Sequence, residues 1–223
     1  MHSLLALIRK ELIIEFRNRY VLGGVLLYVF SSVLLIYFAI QYSNASQDVT
    51  PAMWSIFFWL IILFSSVNAV ANSFFREPEG RFYYYYWVSN PQQIILSKLI
   101  YNFIYTLALA ILTYFIFSIM IKAPVKSHGL FLITVILGGT GYSFLFTTMS
   151  AIASRAGNNA TLMAVLGFPL IIPLIIFLTK ISIACIATTQ PDSEMFKNMM
   201  LLLAFNMVQA VLALVLFPYI WRD

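Results

Sequence analysis

Between Phe74 and Lys98 the chain reads FFREPEGRFYYYYWVSNPQQIILSK, a dense group of side chains suited to recognition chemistry. Glu77 and Glu79 flank a proline, Gly80 and Arg81 follow, and Tyr83, Tyr84, Tyr85 and Tyr86 stand in an unbroken row before Trp87. Carboxylates at this spacing suit charge-assisted hydrogen bonds from basic groups on a partner. Tyrosine and tryptophan supply the large, amphipathic anchors of protein contact hot spots. A second reading needs no partner. Tyr and Trp also gather at membrane interfaces, and the charges would then cap a membrane span and face water. The two readings are compatible, because one face of the segment can meet lipid and the other a partner.

Catalytic chemistry is harder to find. There is no GxxxxGK[ST] loop to cradle ATP phosphates, so the chain is not expected to hydrolyse ATP itself. There is no HExxH and no Cys/His group at metal-ligand spacing. The two histidines are His2, near the start, and His128, beside an apolar run; a lone interfacial His reads as a polar loop residue before it reads as a haem ligand. Cys185 is the single cysteine, which excludes an internal disulfide and reads as a small apolar residue. No acid or base lies deep in an apolar run, whereas ion-coupled carriers keep such groups inside the membrane. The expectation is a chain that is not an enzyme and holds no metal or cofactor.

What must position the Glu77–Tyr86 segment is a membrane bundle. The 223 residues are 62% hydrophobic and 9% charged, with a mean hydropathy of +0.91. Soluble domains are about 45–50% apolar and about 25% charged. Six runs reach the roughly 20 apolar residues that a spanning helix needs, at about 21–40, 52–75, 99–121, 129–153, 161–179 and 198–221. Their unbroken apolarity excludes the alternation of a membrane barrel. The first run is too long for the core of a signal peptide and reads as a retained span. Together they occupy most of the chain and predict a single transmembrane domain, residues 1–223, with no room for a soluble catalytic one.

The net charge is +5, yet its placement argues against nucleic acid. With the N-terminus inside, nine Lys and Arg fall on inner segments and four on outer ones. That asymmetry predicts both termini in the cytoplasm. The opening LLALIRKELIIEFRNR spaces Leu4, Leu5, Ile8, Leu12 and Phe16 as one helical stripe among charges. It predicts an amphipathic helix over 3–19, lying in the inner interface or extending the first span. Thr50 and Pro51 read as the cap and first turn of the second span. Arg76, Pro78 and Gly80 end it, and Pro91 opens the next helix.

Gly139, Ser143, Thr147 and Ala151 fall on one i, i+4 stripe of the fourth span, expected to be a helix-packing face. Pro169 and Pro173 lie one turn apart in the fifth span and predict a helix bend. Residues 180–197, KISIACIATTQPDSEMFK, form the longest outer segment, either a surface loop or a dip into the outer leaflet.

These segments, taken in order, resemble a known family. LIRKELIIEFRNR resembles the interfacial elbow helix of type-2 ABC exporter permeases. Within that class the chain is similar to the haem exporter protein B (CcmB) family. The resemblance is carried by the RKEL-type start, FFRE followed by Gly80, PQQIILSK from Pro91 to Lys98, the Gly139–Gly141 GTG, and Arg155-Ala156-Gly157 followed by LGFPLIIPLIIF. Many relatives carry further acidic residues after the glycine of the inner segment, where Arg81 and the tyrosine run stand here. The resemblance implies an all-α integral membrane permease of six transmembrane helices, type-2 ABC exporter-like, with an N-terminal interfacial helix and a cytoplasmic coupling segment.

Its implied setting is the bacterial inner membrane and cytochrome c maturation. Its implied partners are an ABC ATPase subunit that holds ATP, a tryptophan-rich haem-handling membrane subunit, a haem chaperone, the lipid bilayer and a second copy of the chain. Haem is the cargo of the complex. Glu77, Glu79, Gly80, Arg81 and Tyr83 to Tyr86 are then the residues expected to grip the ATPase. Two other functions suit the same residues: a permease of this fold exporting a drug, lipid or glycan, and a membrane scaffold without transport coupling.

Overall fold

The computed structural model describes residues 2–17, 19–42, 49–75, 91–121, 125–155, 160–188 and 192–222. They form seven helices: α1 (His2–Arg17), α2 (Arg19–Tyr42), α3 (Pro51–Phe75), α4 (Pro91–Ile121), α5 (His128–Arg155), α6 (Ala160–Ala187) and α7 (Ser193–Arg222). Six of these, α2 to α7, are long and apolar enough to cross a membrane. The chain is therefore an all-α, multi-pass membrane protein. The start of α4 meets the ends of α5 and α7 at one end of the bundle, here called the basic end because Lys10 and Lys98 lie there.

The bundle has a centre and a rim. α5 packs against α3, α4, α6 and α7, while among the described residues α2 packs chiefly on α1, α3 and α4. Accordingly 61% of the α3 membrane window and 56% of the α5 window are buried, against 17% for α2. Between apolar helices in lipid the hydrophobic effect gives no drive, so close van der Waals packing must hold them. Large rings do this in the half away from the basic end. Trp54 of α3 meets Phe117 of α4 at a centroid distance of 5.1 Å and Phe131 of α5 at 5.6 Å. Phe58 lies 5.4 Å from Phe131. The offset and edge-on geometries are those aromatic pairs favour.

Caps fix the far turns. Thr50 Oγ1 accepts from Met53 N at 3.3 Å, which opens α3. Asp192 Oδ1 accepts from Ser193 N at 2.8 Å at the start of α7. The C-terminal end of α6 is held from outside the helix. Lys126 N and Ser127 N each donate to Cys185 O at 3.2 Å, and Lys126 Nζ donates to Ala187 O at 2.9 Å. An ammonium there also complements the negative end of the helix dipole.

Residues 180–197 are thus mostly helix: 180–187 prolong α6 and 193–197 open α7. The physical reason is that KISIACIA continues the buried face of the span, with Ile181, Ser182 and Cys185 all at 0% exposure.

Candidate functional site

Glu77, Glu79, Gly80, Arg81 and Tyr83 to Tyr86 lie outside the described residues, and so does Ala156-Gly157. What the structure does describe is the root on which the Glu77–Tyr86 segment stands. α4 begins at Pro91, a position where the missing amide is harmless, and runs for 31 residues. At about 1.5 Å per residue it is about 46 Å long, against a hydrocarbon core of about 30 Å. It is therefore long enough to cross with tilt, and its first two turns lie at the basic end. There Ile94, Ile95 and Leu99 pack with Ala151 of α5 and with Ala213 and Phe217 of α7, and Leu7 of α1 closes over them.

α1 rests on this junction rather than lying free. Leu4, Leu7, Ile8 and Leu12 are half-buried, while Leu5 and Ile13 face outward at 62% and 54% exposure. The outward face, with Arg9 between Leu5 and Ile13, is the mixed apolar and basic surface of an interfacial helix. Glu11 turns the other way. Its Oε1 lies 3.5 Å from Lys98 Nζ and 3.2 Å from Lys10 Nζ. Lys98 is only 1% exposed. A buried ammonium is tolerated when it is paired, and this one has its carboxylate on α1.

The small-residue stripe of α5 turns toward α4. Ser143 Oγ donates to Leu99 O at 3.4 Å, and Asn102 Nδ2 donates to Thr147 Oγ1 at 2.9 Å. A methyl group on Gly139 would sit 3.7 Å from Leu107 Cα, an ordinary contact, and Ala151 belongs to the basic-end junction. The tightest approaches are at two other glycines. A methyl group on Gly138 would fall 2.5 Å from the Trp59 ring and 2.9 Å from Leu178. One on Gly141 would fall 2.7 Å from Leu174 and 2.8 Å from Asn206 Oδ1. Trp59 is held in place, since its Nε1 donates to Ser182 Oγ at 2.8 Å.

Pro169 and Pro173 sit inside the unbroken helix α6. Pro169 is exposed and Pro173 half-buried, beside the outward-facing Val165, Ile172 and Ile176. The helix buries its other side, including Leu174, Leu178 and Ile181. Each proline leaves the carbonyl four residues earlier without its amide donor, at residues 165 and 169, on the side turned away from the bundle.

Sequence reasoning missed three polar positions. Lys98 counted only as one more inner charge. Asn206 Nδ2 donates to Leu137 O at 2.8 Å and to Thr140 Oγ1 at 3.0 Å, tying α7 to α5. Gln209, three residues on, is 4% exposed, and neither end of its amide has a hydrogen-bond partner among the described residues. The signal for both amides was in the sequence: two carboxamides at i, i+3 in an otherwise apolar helix share one face. At the far end His128 Nδ1 pairs with Tyr114 OH at 3.0 Å. Among the described residues no group of three or more His, Cys, Asp or Glu is placed to hold a metal.

The described arrangement consists of a long helix rooted at the basic-end junction, an amphipathic helix fastened to it, and a central helix packed at glycines. No curated protein matches the chain. A family model described as CcmB protein matches residues 2–220, nearly the whole chain. Together with six membrane-spanning helices, that match shows that the chain belongs to the CcmB family, membrane permease subunits of ABC transporters for haem export and cytochrome c maturation.

Proposed function

We propose that this chain is the non-catalytic permease of its transporter and that it couples ATP hydrolysis on a separate cytoplasmic subunit to haem handling. The observation that carries this is the family match across residues 2–220. In this reading the chain sits in the bacterial inner membrane with both termini in the cytoplasm, as its inner excess of Lys and Arg supports. Glu77, Glu79, Gly80, Arg81 and Tyr83 to Tyr86 grip the ATPase. Closure of the ATPase around nucleotide displaces the segment, and the displacement enters the bundle through Pro91 and α4. ATP use releases the haem-loaded chaperone from a complex that also holds a tryptophan-rich haem-handling subunit. Two ATP sites call for two six-span halves, hence a homodimer, by analogy with the fold.

The test is purification of the chain from its native membrane in mild detergent, with every co-purifying protein identified. An ATPase together with a tryptophan-rich haem-handling membrane protein is the expected result. An ATPase alone would leave a general exporter. No ATPase, under conditions that preserve other transporters of this type, would overturn the coupling reading.

A further inference from the structure

Lys98 occupies a place where a lysine has an easier alternative. It stands two turns into α4 at the basic end, where a four-carbon stem can carry an ammonium outward to headgroups and water. Instead it is turned into the bundle at 1% exposure. It lies on the face of α4 that Ile94 and Ile95 bury, at i+4 and i+3 from them. Its carboxylate partner, Glu11 at 3.5 Å, comes from α1 and is itself only 13% exposed. Lys10 crowds the same oxygen at 3.2 Å. Around the pair Leu7 of α1 packs against the cluster that holds Ile94, Ile95, Leu99 and Phe217. The rotation of α4 is already set by its hydrogen bonds to α5, but apolar packing alone would allow α1 to slide along α4. A buried ion pair with one partner on each helix forbids that, which is the register-fixing use of such pairs.

We propose that Glu11 and Lys98 are positioning residues for the coupling contact. They fasten α1 to α4 at the root of residues 76–90 and fix its register there, so that α1 and the first turns of α4 move as one body. The inference rests on the proposed coupling through residues 76–90. It adds that force arriving at Pro91 is delivered to the interfacial helix as well as to the bundle.

The experiment uses the full chain purified in native lipid with its ATPase, as wild type, Glu11→Gln, Lys98→Met and the exchanged pair Glu11→Lys with Lys98→Glu. Two readouts are taken: hydrogen exchange of the α1 backbone amides, and kcat and KM for ATP turnover. Each single variant is expected to speed α1 exchange by about tenfold or more, as undocking of a locally stabilised element would. Each should also lower kcat severalfold, with KM for ATP and the amount of bound ATPase unchanged. The exchanged pair should restore both readouts. A merely structural role would lower the yield of folded complex without separating kcat from KM. Unchanged α1 exchange in Glu11→Gln, or no recovery in the exchanged pair, overturns the proposal. If wild type co-purifies no ATPase, the coupling reading fails on its own, while α1 exchange still decides whether the pair fastens α1 to α4.

Discussion

Replacing Gly138 by alanine adds one methyl group at the tightest glycine contact among the described residues. The new carbon would sit 2.5 Å from two ring carbons of Trp59 and 2.9 Å from a Leu178 methyl. Leu178 can give way by changing rotamer, but the indole cannot tilt without straining the bond from its Nε1 to Ser182 Oγ. Overpacking of this kind costs about 1–3 kcal/mol. A side-chain hydrogen bond between membrane helices contributes about 0.6 kcal/mol and at most about 1.7. Gly138→Ala should therefore destabilise by about 2–4 kcal/mol. The middle of that range is a change of more than a hundredfold in the folded ratio.

The neighbouring Gly139→Ala is the internal control. Its methyl group meets Leu107 at 3.7 Å or more, so it should carry no overpacking penalty, and the preference of a helix for Ala over Gly, about 0.5–1 kcal/mol, should favour it. Unfolding in mixed micelles by titration with a denaturing detergent measures both. Trp59→Phe removes the carbons that clash, so a double-mutant cycle should show the Gly138→Ala penalty shrinking by 1 kcal/mol or more, roughly the coupling expected of residues in contact. Equal losses from Gly138→Ala and Gly139→Ala would refute this reasoning, as would a cycle with no coupling.

Further outcomes follow from other contacts. Asn206→Leu removes both bonds to α5 and should lower stability by about 0.6–1.7 kcal/mol in the same assay. Lys126→Met removes the ammonium from Ala187 O, so amides of the last turn of α6 should exchange faster, by the threefold or so that about 0.3–1 kcal/mol implies, while those near Gly167 stay unchanged. Cys185 is buried, so a small maleimide should leave it unlabelled in the folded chain and label it fully after denaturation; rapid labelling of the folded chain would contradict its placement. Substituting Tyr83 to Tyr86 together by serine should lower ATP turnover of the bound ATPase, and unchanged turnover would favour a scaffold.

How far each feature was legible in the sequence depends on its range. Spans are read from local apolarity, and Thr50 and Pro51 mark the start of α3 because a cap is a contact within one turn. The extra turns of α4 are less visible. Pro91 marks the helix start in the sequence, but only tertiary packing shows that the helix runs unbroken from there to Ile121 and buries Lys98. Glu11 likewise reads as one charge on a polar face, since nothing local says that its partner is 87 residues away. The i, i+4 stripe from Gly139 to Ala151 was readable as a set of small residues. It could not reveal that α5 has neighbours on every side, so that Gly138 and Gly141 face different helices and make the closer contacts. The residues proposed to grip the ATPase, Glu77, Glu79, Gly80, Arg81 and Tyr83 to Tyr86, fall outside the described residues, and that proposal stands on the resemblance and on the chemistry of their side chains.

The two ends of the bundle are built from different material. Rings and a lysine cap lock α3, α4, α5 and α6 together at the far end, where Trp54, Phe117 and Phe131 interlock and Lys126 holds Ala187. At the basic end α4 and α7 meet α5 mainly through aliphatic side chains, Ile94, Leu99, Ala151 and Ala213 among them, with Phe217 the one buried ring of the cluster among the described residues. In the proposed coupling, force arrives at Pro91 while the rings grip the other end of α4, which makes that helix a lever whose fulcrum is the grip. With 31 residues, α4 is about 46 Å long. A push of about 2 Å at Pro91 then needs a swing of only about 2.5°, which close packing can absorb without opening the far end. Such a frame would turn a blow from one side into tilt rather than into a hole through the membrane.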